Sequence, residues 1–169
     1  MKFKVSYIGF LLIVILTFFA CDLSNDDNNS TVFRPHEFEL KMFELTNVER
    51  GKEGLPALIW NDTLAAAARE HSKDLMQNNI TGHVGSNGST LRQRIEGAGI
   101  LNWSYLAENC SYGRATPELT IAGLMNSPGH RANILNPEVT HLGVGYVPRP
   151  EGSSAQYSTY WTQKFCAFK

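Results

Sequence analysis

The chain has 169 residues, room for one domain of ordinary size and a leader. Apolar residues make up 43 % and charged residues 18 %, a composition that argues for a packed core and against general disorder. The formal net charge of −1 gives no reason to expect nucleic acid or an anionic membrane surface as a partner.

The first segment reads as an export signal. Lys2 and Lys4 make a short positive start, Val5 to Ala20 is almost wholly apolar, and Ala20-Cys21 ends the run on a small residue before a cysteine. A membrane anchor is the competing reading, but the run is shorter than the roughly 20 residues that a spanning helix prefers. The stretch Leu16 to Cys21 resembles a bacterial lipobox, although Phe18 and Phe19 depart from its usual residues. That resemblance implies lipidation of Cys21, with plain secretion as the alternative. Asp22 to Ser30 is rich in Asn, Asp and Ser and reads as a flexible tether. The expected organisation is a signal peptide over 1–20, a lipidated cysteine and tether over 21–33, and one domain over 34–169.

Within that domain, a first helix is expected from about Arg34-Pro35 to Arg50, with Phe38, Met42, Leu45 and Val48 on its inner face. Asn61-Asp62 caps a second helix, whose inner face carries Leu64, Ala68, His71 and Leu75. A turn-rich stretch, Gly82 to Ser89, holds His83, and a short helix around Leu91 to Ile95 follows. Ser104 to Ser111 reads as a strand with Glu108 on the same side as Leu106 and Cys110. Thr116-Pro117 and Ser127-Pro128 each give a hydroxyl cap followed by proline, so each starts a helix. Leu142, Val144 and Tyr146 alternate with small residues, and Gln156 to Phe168 favours a second strand of a hairpin closed by Pro148 to Ser154. Gly143 and Gly145 are expected where backbone packs closely on a neighbouring layer. The whole predicts an α+β domain with helices covering a small antiparallel sheet.

Two cysteines remain besides Cys21. Cys110 and Cys166 can pair in an exported domain, with a stabilisation of about 4 kcal/mol for so long a loop; the alternative is two buried thiols. The cysteines show no CxxC or Cys/His spacing of a structural zinc motif.

Four segments together resemble the CAP superfamily, the cysteine-rich secretory, antigen 5 and pathogenesis-related-1 group. They are the helix Ala65 to Leu75, Gly82-His83, Ala107-Glu108-Asn109, and Met125 to Leu135 with its Ser-Pro-Gly-His-Arg-Ala-Asn-Ile-Leu run. Gly143-Val-Gly145 and Tyr160-Trp-Thr-Gln163 complete the pattern. The resemblance implies a three-layer α-β-α sandwich and a central cleft with two histidines and two acids. The histidines map onto His83 and His130 and the first acid onto Glu108. The second acid falls at or near Ser127, which is not acidic, so the set is incomplete.

His130 would stand in the first turn of a helix, where the dipole keeps imidazole neutral. His83, His130 and Glu108 could hold Zn²⁺ or another divalent ion, or act as base and orienting groups for a water. A polar network that holds loops together explains the same residues. His71, on an apolar helix face, reads as a hydrogen-bonded structural histidine. The expected function is a monomeric envelope or extracellular binding module for a lipid, glycan or protein ligand; the alternative is a metal-assisted, peptidase-like hydrolase using His83, Glu108 and His130.

Overall fold

The structure is a computed structural model, and it describes residues 37–169. The expected signal segment, Cys21, the tether and the Arg34-Pro35 helix start lie outside the described residues. Among the described residues, no helix is long and apolar enough to cross a membrane.

The elements follow in the order α1 (Glu37–Lys52), β1 (Ile59–Trp60), α2 (Asp62–Gln77), α3 (Leu91–Gly97), β2 (Trp103–Tyr112), α4 (Pro117–Met125), α5 (Pro128–Ile134), β3 (His141–Pro148) and β4 (Thr159–Phe168). Local signals set most boundaries. The Asn61 side chain accepts from the Leu64 N–H at 2.9 Å, and Thr90 and Gln93 form a reciprocal capping box at α3. Thr116 caps α4 with proline at the first helical position.

The strands form one sheet in the order β1-β3-β4-β2. β4 pairs antiparallel with both β3 and β2, and the short β1 adds a parallel rung to β3 that the sequence did not announce. Side-chain alternation divides the core into two layers. Leu142, Val144, Trp161 and Phe165 meet Met42 of α1, Ile121 and Leu124 of α4 and Ile134 of α5 on one face. On the other face Cys166 packs with Leu64 and Ile95, and Tyr160 and Cys110 pack with Leu75. The result is the α-β-α sandwich, with α2 and α3 on one side and α1, α4 and α5 on the other. β2 is an edge strand, and Asn133 of α5 covers part of that edge by donating to the Glu108 carbonyl at 3.2 Å.

Two expectations are corrected here. α1 turns Met42, Phe38 and Leu45 to the core as expected, but not Val48, and it buries polar groups beside them. Its buried positions are Glu39, Met42, Thr46 and Arg50, while Val48 is 46 % exposed. The polar groups go inside because each is satisfied there. Glu39 accepts from Nε and Nη2 of Arg69 and from the Tyr146 N–H, and Thr46 accepts from Gln163. Arg50 donates to the carbonyls of Pro56, Ile134 and Asn136.

The second correction is the disulfide. Cys110 and Cys166 are both free and buried. They share a sheet face, but Cys110 pairs with Thr162 and Cys166 with Leu106. Four rungs separate them, about 13 Å at strand rise. A disulfide needs Cα atoms within roughly 7 Å.

Candidate functional site: a caged carboxylate beside an acid-free cleft

Glu108 is the centre of the site. It projects from β2 toward α2 and α3, on the side of Leu106 and Cys110 as expected, and its side chain is 2 % exposed. A carboxylate so buried must be paired. Lys164, directly opposite on β4, donates to Oε2 from a side chain with no exposure. Arg94 of α3 reaches both carboxylate oxygens at 3.1 Å. The His83 ring sets Nδ1 at 3.0 Å from Oε1, and His71 of α2 lies 3.6 Å from the same oxygen.

His83 is aimed by its loop. Gly82 has φ +105°, a conformation that favours glycine, and its N–H donates to the Tyr112 hydroxyl at 2.7 Å. Arg94 clamps the loop by donating to the His83 carbonyl at 2.9 Å. The His83 side chain remains 55 % exposed, so its ring has one edge on Glu108 and the rest in the open.

These contacts fix the charges. Burial alone would raise the Glu108 carboxyl, but the His83 hydrogen bond and the Lys164 charge outweigh it and hold it at about 2. The Cys110 sulfur, 3.9 Å away, and the Glu108 carboxylate raise His83 to about 10. Burial lowers His71 to about 4, so its ring is neutral near pH 7. Its Nε2 faces two acceptors, the Gly82 carbonyl at 3.3 Å and Glu108, which places the proton on Nε2. Burial also lowers His130, with the charge of His83 adding to the effect.

The pH dependence follows with a definite sign. His71 has a folded pKa below its unfolded value, so its contribution is full above about pH 6.5 and is lost toward pH 4. Glu108 likewise contributes fully above about pH 4.5 and loses that contribution toward pH 2. His83 has a raised pKa, so its contribution is full below about pH 6.5 and is lost as pH rises toward 10. The melting temperature is therefore expected to peak near pH 6.5 and to fall on both sides. A profile flat from pH 6.5 to pH 2 in thermal melts would contradict these assignments.

A cleft of about 320 Å³ opens beside this group, lined by Cys110, Ser111, Tyr112, Arg114, Gly123, Leu124, Ser127 and His130. Asn109 tethers its far wall by donating to the His130 carbonyl at 3.1 Å. Ser127 stands at the N-cap position of α5, as expected, but its side chain makes no capping hydrogen bond. The structure thus joins His83 to Glu108 and places His130 and Ser127 on the adjoining cleft.

Sequence reasoning missed Lys164, Arg94 and Arg114; it left Cys110 as a disulfide partner or a buried thiol, and the structure makes it a buried thiol on the cleft wall. A lysine between Thr162 and Cys166 in a strand rich in apolar residues was the available signal: an inward charge there needs a carboxylate opposite. His71 is not a bystander of the site, because it touches Glu108.

The residues fit a divalent metal poorly. His71, Glu108 and Cys110 bring one donor atom each within 4.8 Å of one another. Both Glu108 oxygens, however, already accept from Lys164 or Arg94, and His83 would first have to give up a proton. Three cationic groups around one carboxylate leave the site short of the negative charge that a divalent ion needs.

The family model of the cysteine-rich secretory protein family, CAP, matches residues 43–165. The chain belongs to the CAP family. The chain is 37 % identical over 143 residues to the uncharacterized protein YkwD of Bacillus subtilis, covering 83 % of this chain and 52 % of that protein. It is 38 % identical over 127 residues to the uncharacterized membrane protein YlbC of the same organism, covering 75 % of this chain and 34 % of that one. The chain therefore spans about half or less of the length of these relatives. Among solved structures, an extracellular protein containing an SCP domain from Bacillus anthracis superposes with a TM-score of 0.67 at 32 % identity, covering 76 % of this chain and 40 % of that chain. An outer surface protein of Borrelia burgdorferi shares the fold with a TM-score of 0.69 at 21 % identity, covering 79 % and 95 %.

Proposed function

We propose that this CAP domain is a binding module of the cell envelope, and that its cleft at Ser127 and His130, beside His83, recognises a lipid, glycan or protein ligand. The observation that carries this reading is the occupation of Glu108. General acid–base work needs a group that can exchange a proton near the working pH. Glu108 is held at about 2 and His83 at about 10, each by the other and by fixed neighbours. A hydrolase using His83, Glu108 and His130 would need that cage to open first.

An envelope location is supported by the names of similar proteins, one extracellular, one an outer surface protein and one a membrane protein. The lipobox-like segment ending at Cys21 supports a lipid tether. Mass analysis of the protein from membranes is expected to show a diacylated N-terminal Cys21.

The functional test is saturable binding of the full chain, held in nonionic detergent, to purified envelope lipids, glycans and proteins. His130→Ala is expected to abolish the binding without lowering the melting temperature by more than a few degrees. Saturable binding to none of these fractions would remove the reading. Turnover of a peptide or glycan that His130→Ala abolishes would favour the hydrolase.

A further inference from the structure

We infer that the cleft takes an oxyanion, a carboxylate or phosphate group, with Arg114 as its principal contact and Gly123 as the seat that positions Arg114. The inference deepens the binding-module reading and rests on it.

The charge inventory comes first. No Asp or Glu lines the cleft among the described residues. The other two large hollows differ: one carries Glu37, Glu44 and Glu118, and the other Glu70 and Asp74. The position where the CAP resemblance places a second acid holds Ser127, whose hydroxyl is not used for capping. The acid that is present, Glu108, lies behind the cleft and is taken by Lys164, Arg94 and His83. Losing one acid and neutralising the other turns a cation-holding constellation into one that presents positive charge outward.

Arg114 supplies the directional part. Its carbonyl accepts from Thr159 Oγ1 at 2.8 Å and Trp161 Nε1 at 2.9 Å, so the backbone at this position is anchored to β4. Its guanidinium lies directly on Gly123 of α4: a Cβ there would overlap the guanidinium carbon and nitrogens. Among the described residues no carboxylate pairs with it. A planar fork resting on Gly123, unpaired and on a cleft wall, suits bidentate contact with a carboxylate or phosphate. Ser127 and Ser111 add hydroxyl groups on the same wall system, and His83 adds charge at the edge, 3.9 Å from the cleft residue Cys110.

Calorimetric titration of the full chain in nonionic detergent tests this, with sn-glycerol 3-phosphate, D-glucuronate, neutral N-acetylglucosamine and ZnCl₂ as probes. The two anions distinguish a phosphate from a carboxylate source. Saturable binding of at least one anion is expected, weakening as salt rises. Arg114→Gln is expected to weaken it about tenfold or more, the scale of one charged hydrogen-bonded contact. Gly123→Ala moves the guanidinium without removing its charge; a loss of roughly threefold or more is expected, with the melting temperature unchanged. Ser127→Glu returns an acid to the cleft and is expected to abolish anion binding. Equal anion binding by wild type and Arg114→Gln would overturn the inference, as would saturable binding of N-acetylglucosamine or Zn²⁺ at the cleft without either anion. Those last outcomes would leave the binding module standing, whereas an envelope screen in which no fraction binds would remove both.

Discussion

Glu108→Gln is expected to cost about 3–5 kcal/mol of folding stability, the range for removing one partner of a buried ion pair. Glutamine keeps the shape and loses the charge. Lys164, with no side-chain exposure, would then have no counterion, and Arg94 would keep one oxygen acceptor in place of two. Burial already lowers Lys164, and Glu108 is what offsets that effect. Native domains have only about 5–15 kcal/mol in hand, so the melting temperature should drop by roughly 10 °C or more. Glu108→Gln combined with Lys164→Met should recover part of the loss, because the orphaned ammonium goes with its partner. A single variant within about 1 kcal/mol of wild type in denaturant melts would mean that the cage does not hold the fold.

The second large effect is at the contact between β3 and α2. A Cβ on Gly143 would overlap the Ala65 nitrogen and the Leu64 carbonyl carbon, and one on Gly145 the Arg69 nitrogen and the Ala68 carbonyl carbon. These are backbone atoms of a helix, so no rotamer change relieves the clash. The whole helix must move away from the sheet. It is pinned there by Ser72, 2.8 Å from Thr162 Oγ1, and by the cage contacts of His71. Gly143→Ala or Gly145→Ala is therefore expected to cost about 3 kcal/mol, the upper end of ordinary overpacking. The comparison with Gly123 decides the interpretation. There the obstructing atoms belong to the end of an exposed arginine, so Gly123→Ala should leave stability nearly intact. If all three variants melted alike, the close approach of β3 to α2 would not be as described.

Most of the architecture was legible because its signals are local. Asn61 and Thr116 each cap the helix that begins after them, and the prolines at 117 and 128 stand in first helical turns. Gly143 and Gly145 alternate with Leu142 and Val144, and that alternation held. The failures share one physical cause, since each depends on a partner distant in sequence. α1 buries Glu39, Thr46 and Arg50 because acceptors and donors from β3, β4, the end of α5 and the segment after it meet them there. Apolar periodicity cannot see such partners, and so it chose Val48.

The site divides in the same way. His83, Glu108, Ser127 and His130 could be named through the CAP resemblance, and the fold sets His83 Nδ1 3.0 Å from Glu108 Oε1. Lys164 and Arg94 were not legible, because their importance follows from the β2–β4 register and from where α3 sits. Register also separates Cys110 from Cys166, which no count of cysteines could reveal. The consequence for function is large. Read from the family pattern, Glu108 is a candidate ligand or base; with its three cationic neighbours in place, it is a carboxylate already spent.

The most direct test of that claim is a histidine-selective NMR titration of the imidazole nitrogens from pH 4 to pH 11. The caged arrangement predicts a His83 ring that stays protonated through neutral pH and titrates near 10, beside a His71 ring that stays neutral, with its proton on Nε2, down to about pH 4. A His83 ring that titrates at or below about 6.5 would contradict it, and would return Glu108 and His83 to the list of groups free to bind a metal or move a proton.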